Sequence, residues 1–288
     1  MATPARTVHT CLPTSCWYGA MHQPAALTIG NIQSVLSDPS APASDLTAKR
    51  LHAMECCVST VARPQNYVYQ LLDCLLPCRH CRLVVGSPDA AYLDRYRGNG
   101  SVEIIIPSEE EWNPVKDFSV HRRAAWNYWR SLEAGQADPL KGGLLLLEDD
   151  VILAKQWQTK LAQTVLVLES RLGSLFILAL YTPHKLDLSW EASAPLFVPY
   201  PGNMFFGLQA IYYPEPVRSQ FSSFLKMFGV DRYTRPDDLL LRDFIQERNL
   251  PLLACNPNLA QHIGLETTGL GPFHRTQYFL DDLPTQHD

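Results

Sequence analysis

The sequence predicts an α/β domain, a mostly parallel sheet flanked by helices, and three observations carry that prediction. From residue 55 onward, short β-rich runs alternate with stretches whose apolar residues recur four apart. The runs are apolar at successive positions, as strands covered on both faces must be. The chain is 288 residues long with 46% hydrophobic and 18% charged residues, which is enough apolar surface for a large core without a disulfide or metal staple. Strand and helix in alternation, joined by right-handed crossovers, give the parallel order.

The first unit opens at Cys56-Cys57-Val58-Ser59-Thr60-Val61 and continues into a stripe at Tyr67, Leu71 and Leu75. Residues 83–86 and 102–106 are the next strands, and a helix follows with Ala124, Tyr128 and Leu132 on one side. Arg122, Arg123 and Asn127 fall off that stripe. A strong strand at 144–147 runs into Glu148-Asp149-Asp150, and a helix then carries Trp157, Leu161, Val165, Leu168 and Leu172 in register. The second half is less regular. It offers a strand at 175–181, an aromatic and proline-rich loop through Trp190 and Tyr200, and a strand at 205–213. Pro236-Asp237-Asp238 then opens a helix over 239–248, with acidic residues where the helix dipole favours them, and a short strand closes the series at 252–255. Residues 1–50, turn-like around Cys11 and Cys16 and rich in Pro, Ser and Ala later on, read as an arm ahead of a single domain over 51–288.

Composition excludes some functions. A net charge of −5, from 24 basic and 29 acidic residues with no long Lys/Arg run, argues against a nucleic-acid binder or a basic membrane-surface protein. No stretch reaches the ~18 apolar residues of a bilayer span, and the N-terminus lacks the apolar run of a secretory signal. The expected location is cytoplasmic, or the Golgi lumen if an anchor has been removed. The eight cysteines read as buried free thiols. Cys74, Cys78 and Cys81, with His80 among them, have a spacing that could hold zinc, but no second Cys-X2-Cys pair completes it and packing at a helix end is the favoured reading. Asn99-Gly100-Ser101 is a formal glycosylation sequon that, without a signal, reads as a turn.

Leu144-Leu145-Leu146-Leu147-Glu148-Asp149-Asp150 is the most informative stretch, because four leucines demand burial and three carboxylates resist it unless a positive charge neutralises them. The end of a buried strand meets both demands. In an open α/β sheet, ligands bind beyond the carboxyl ends of the strands, and clustered carboxylates there suit a hard divalent cation. A solvated acidic turn is the plainer alternative. The acidic triplet closing the fourth strand, the aromatic-bearing helix after it and the late Gln261-His262-Ile263-Gly264 together resemble the GT-A glycosyltransferases. LLLLEDDVILAKQW looks like their Asp-X-Asp-type metal motif in a Glu-Asp-Asp form. PNLAQHIGLETTG is similar to a stretch in the branch of the N-acetylglucosaminyltransferase IV-like enzymes and the transferase that adds N-acetylgalactosamine to glycosylphosphatidylinositol anchors. The likeness spans residues 55–270.

That resemblance implies a Rossmann-like GT-A domain that moves a hexose or N-acetylhexosamine from a UDP-sugar to a hydroxyl of a glycan, glycolipid or protein acceptor, with inversion. It implies manganese, or magnesium, held by Asp150, Asp149 and His262, with Glu148 orienting the pair; imidazole suits manganese better than magnesium. It implies a base at Asp238 with Asp237 as helix cap, although an aspartate at a helix start is also a common cap in its own right. Ser59, Thr60, Arg63 and Asp89 stand at strand ends where such proteins hold base and ribose, and Gln209 lies in the strand that frames the sugar. Arg122 and Arg123 suit diphosphate oxygens, and a solvated helix face accommodates them equally. Trp190 and Tyr181 could stack on a sugar ring or simply pack. Two rivals use the same residues: a metal-dependent phosphoryl hydrolase and a nucleotide-sugar-binding module without turnover.

Overall fold

The computed structural model describes residues 54–76, 80–134, 142–183, 195–228, 236–265 and 273–282. The expected N-terminal arm, Trp190 and Cys78 lie outside them. Ten strands are present among the described residues: β1 (Glu55–Thr60), β2 (Cys81–Val85), β3 (Val102–Ile105), β4 (Leu144–Glu148), β5 (Val151–Leu153), β6 (Ile177–Ala179), β7 (Phe197–Pro199), β8 (Ala210–Tyr213), β9 (Leu252–Cys255) and β10 (Ala260–His262). Helices α1 (Val68–Leu75), α2 (Glu109–Trp112), α3 (Val120–Ala134), α4 (Trp157–Leu172), α5 (Glu215–Phe228) and α6 (Asp237–Arg248) join them.

Eight strands form one sheet in the order β3-β2-β1-β4-β8-β6-β9-β7, and β5 pairs with β10 in a separate antiparallel ribbon. β1 lies parallel to both β2 and β4, β2 to β3, and β6 to β9, whereas β8 and β7 run against their neighbours. The chain is thus α/β with a large, mostly parallel sheet. It winds outward from β1 to β3 and returns to the other side of β1 at β4, so the carboxyl ends of β1 and β4 flank a topological switch point, where a crevice opens. Ser59 sits opposite Glu148 in that register.

Successive strand residues face opposite sides, which explains the run of leucines in β4. Leu145 and Leu147 join Val58, Leu83, Leu71 and Trp157 under α1 and α4. Leu144 and Leu146 join Val84, Tyr128, Ile211 and Phe221 under α3 and α5. Both faces are buried, so no position in the strand is left for a polar residue until Glu148. Fully burying a leucine contributes on the order of 2 kcal/mol, and this strand holds four.

Several elements differ from the expected ones. β6 and β8 are shorter than 175–181 and 205–213. Gly207, at φ 90°, leaves the extended region and holds the chain in a loop ahead of β8. β7 lies in the stretch read as loop, at the sheet edge where Pro199 costs no ladder bond. α5 went unread, although Val217, Phe221, Phe224 and Leu225 carry the helical spacing and all are buried. The sequon is a turn, with the Asn99 side chain accepting a hydrogen bond from the Ser101 N–H. No helix among the described residues is long and apolar enough to cross a membrane.

Arg218, 3% exposed, ties α5 to the end of α3. It donates to the Leu132 carbonyl at 2.7 Å, one of the last-turn acceptors that a helix leaves unmet, and pairs with Glu215. Arg218→Met removes the charge but keeps the bulk. It is expected to cost about 2–3 kcal/mol in urea unfolding, because Glu215 and the carbonyl lose their partner; an unchanged midpoint would remove this tie from the account of stability.

Candidate active site

The crevice at the switch point is a cavity of about 780 Å³, within the size range of small-molecule sites. Ser59, Thr60 and Arg63 at and after the end of β1, Glu148 at the end of β4, Asp150 just after it and His262 at the end of β10 all line it. Phe206 to Gln209, which adjoin β4 through the Glu148 N–H to Gln209 carbonyl bond, and the start of α6, Asp237 and Asp238, complete the lining. Gly86, after β2, leaves room for this convergence: a Cβ there would stand 2.7 Å from Val61 Cγ1. Asn127 braces the same corner, donating to Ser59 Oγ at 2.8 Å and to the Val84 carbonyl at 3.2 Å.

The three carboxyls of the acidic triplet have different environments. Asp149 is 2% exposed and does not line the cavity. It accepts from Thr60 Oγ1 at 2.7 Å, from the Val61 N–H at 3.2 Å and from Arg63 Nη2 at 2.7 Å. Burial lifts it to about 6 although Arg63 pulls the other way. Asp149, expected as a metal ligand, thus turns away from the cavity to Thr60, whereas Thr60 itself stands in the lining, where a donor contact was expected. Asp150 accepts from Arg63 Nη1 at 2.7 Å through Oδ2, and its Oδ1 is buried with no hydrogen-bond partner among the described residues. Burial opposes its ionisation, yet His262 and Arg63 together hold it below the usual carboxylate range. Glu148 is pushed well up, first by burial and then by the charge of Asp150.

His262 shows what the site is shaped to hold. Its Nδ1 lies 2.8 Å from the His274 carbonyl, which can only accept, so Nδ1 carries the proton. In the neutral ring Nε2 is then an acceptor, and it faces another acceptor, Asp150 Oδ2, at 3.4 Å. Two lone pairs opposed in this way call for a cation or a proton between them. A backbone carbonyl that fixes the far nitrogen of a histidine is also the usual outer support of a metal ligand. Asp150 and His262 are the two groups whose chemistry would suit a divalent cation, and a proton on His262 Nε2 would satisfy the same pair. They supply only two protein groups, and among the described residues no cluster of three or more His, Cys, Asp or Glu is placed to hold a metal. The free Cys74 and the buried free Cys81 belong to the packed end of α1 and β2.

At the start of α6 neither aspartate is the N-cap: that position is Pro236, with no side-chain cap bond. Asp238 accepts the Leu239 N–H at 2.8 Å through Oδ1 and makes a long contact of 3.5 Å with the Gly207 N–H through Oδ2, which braces the Gly207 loop. Asp237 accepts the Asp238 N–H at 3.2 Å through Oδ1. Burial, and after it the charge of Asp238, raises Asp237 to about 7. Gln209 also lines the cavity, with a buried Oε1 that has no partner among the described residues and awaits an O–H or N–H.

Of the two expected arginines, only Arg123 reaches the cavity, where its Nη1 donates to the Lys116 carbonyl at 3.2 Å; Arg122 stacks on Phe118 at 3.5 Å and does not line it. Asp89 stands exposed at the rim. Tyr181 is no stacking surface: it is 1% exposed and its hydroxyl meets His274 Nδ1 at 2.7 Å. Sequence reasoning missed Lys116 and His274, both in the lining. Neither lies in a patterned segment, and only the tertiary fold brings them to the crevice. No family model matches the chain, and no curated protein matches it.

Proposed function

We propose that this chain is a metal-dependent GT-A glycosyltransferase that moves a sugar from a UDP-sugar to an acceptor hydroxyl with inversion. The observation that carries the reading is the opposed pair of Asp150 Oδ2 and His262 Nε2, 3.4 Å apart on the floor of a switch-point cavity. Asp150 and His262 would hold the ion, and its bound charge would offset the negative charge that develops on the leaving diphosphate. The remaining positions around it would fall to phosphate oxygens and water, as is usual where a protein offers few ligands.

The chain's own groups divide the rest of the work. Ser59, near the end of β1, and Asp89, beyond β2, are the contacts for base and ribose. Arg123 and Lys116 offer positive charge to the diphosphate on the α3 side. Gln209 Oε1 accepts from a hydroxyl or amide of the transferred sugar. Asp237, lining the cavity at the start of α6, takes the proton of the acceptor hydroxyl as its oxygen bonds to the anomeric carbon and the bond from that carbon to the diphosphate oxygen breaks. A carboxylate with its ordinary pKa is a weak base at neutral pH, and the lift to about 7 brings Asp237 near the working range.

Calorimetric titration of UDP and of a panel of UDP-sugars, with and without manganese, tests the reading. Manganese-dependent nucleotide binding, with one sugar preferred, is the expected result. Absence of nucleotide binding under both conditions would remove the reading, and the nucleotide-sugar-binding module with it, and leave the hydrolase.

A further inference from the structure

Arg63 stands where a cation bound by Asp150 would act. Its Nη1 and Nη2 each lie 2.7 Å from a carboxylate oxygen, Asp150 Oδ2 and Asp149 Oδ1, so a single guanidinium spans both acids. Its Nε is buried with no hydrogen-bond partner among the described residues, although Arg63 lines the cavity. Asp149 keeps Thr60 and the Val61 N–H if the arginine leaves; Asp150 keeps only His262. Asp149 is therefore provided for without Arg63, and Asp150 is the acid whose partner is exchangeable.

We propose that Arg63 and the divalent cation are mutually exclusive partners of Asp150, and that the donor diphosphate resolves the competition by taking Arg63. This deepens the glycosyltransferase reading and rests on it for the diphosphate. Two positive charges on one buried carboxylate repel, and Arg63 already occupies the oxygen that faces His262. Moving Arg63 off Asp150 with nothing to receive it would strip a buried guanidinium of one of its two carboxylate partners, a cost that opposes the exchange. A diphosphate presents paired oxygens to the fork of a guanidinium, Nε included, while other oxygens of the same group complete the ion's shell. One charge pair, carboxylate with arginine, is then replaced by two, carboxylate with cation and arginine with phosphate, so no charge is left unpaired. Manganese should bind poorly alone and well with UDP, and by linkage UDP should gain the same factor from manganese.

The test uses the full chain and follows free manganese by electron paramagnetic resonance, with and without UDP, in the parent protein, Arg63→Gln and Arg63→Lys. The parent is expected to bind manganese about tenfold or more tightly with UDP present. Arg63→Gln is expected to bind manganese alone at least severalfold more tightly than the parent and to lose most of the UDP effect. Arg63→Lys, a point charge that cannot fork across both acids, should fall between them and guards against misfolding of the glutamine variant, which circular dichroism checks. Equal manganese affinity with and without UDP in the parent, or no gain in either folded variant, overturns the exchange. If UDP fails to bind at all, the glycosyltransferase reading falls, while manganese titrations of parent and variants still decide whether Arg63 and the cation exclude each other.

Discussion

Asp237→Asn is expected to lower UDP release from the preferred UDP-sugar by about 10²–10⁴, the range for loss of a positioned general base. Affinity for UDP with manganese should stay within a fewfold of the parent, because Asp237 is not among the groups that would hold the ion or the nucleotide. The parent's kcat/KM should fall about tenfold per pH unit below about 7, where Asp237 takes up a proton and can no longer accept one. Stability should move in the opposite sense. The folded pKa of about 7 is above the unfolded value of 3.8, so the parent has this contribution in full below about pH 4 and loses it as pH rises through 7. Asp237→Asn is therefore expected to be near-neutral at pH 4 and to stabilise by about 2 kcal/mol at pH 8, after allowing for its part-exposed side. Asp238→Asn should show the other pattern: little change in stability, since the amide oxygen still accepts the Leu239 N–H, and a smaller effect on turnover. If Asp238→Asn is the inactive variant and Asp237→Asn turns over normally, the base is Asp238.

Asp150→Asn should abolish the manganese dependence of UDP binding and lower metal-supported affinity by about 10²-fold, the upper end expected even for residues that only support a metal ligand. The amide has the same shape but carries no charge, and its oxygen still accepts from Arg63. Asp149, with Thr60, the Val61 N–H and Arg63, keeps the floor of the cavity intact. Circular dichroism is expected to be unchanged, with a modest fall in melting temperature from the weakened ion pair. A chain that merely binds a glycan or protein partner would keep that affinity in the same variant. Normal manganese-dependent UDP binding by folded Asp150→Asn would show that the ion is held elsewhere.

Much of the architecture was legible because strand burial leaves a local record. Leu144 to Leu147 could only be a strand covered on both faces, and the triplet after it had to stand at that strand's end. α3, α4 and α6 were legible from their four-residue spacings or acidic first turns. β7 and the ribbon strand β10 were not, since three residues carry too little periodicity to separate a strand from a loop.

The residue types of the site, and the segments that hold them, were determined by the sequence alone: an acidic triplet, a late histidine, a pair of aspartates opening a helix, an arginine after the first strand. Which partner each one meets was decided only by the tertiary structure. Arg63 and Asp150 are 87 positions apart, and nothing local to either shows that one guanidinium spans two acids. Nor does local sequence show that Asp149 turns to Thr60 while Asp150 keeps a bare oxygen, that Asp238 reaches the Gly207 N–H, or that the His274 carbonyl orients His262. Such pairings depend on a few ångströms of distance and on how much water is excluded. Folding sets both when β1, β4 and the β5–β10 ribbon converge at the crevice; side-chain identity alone sets neither.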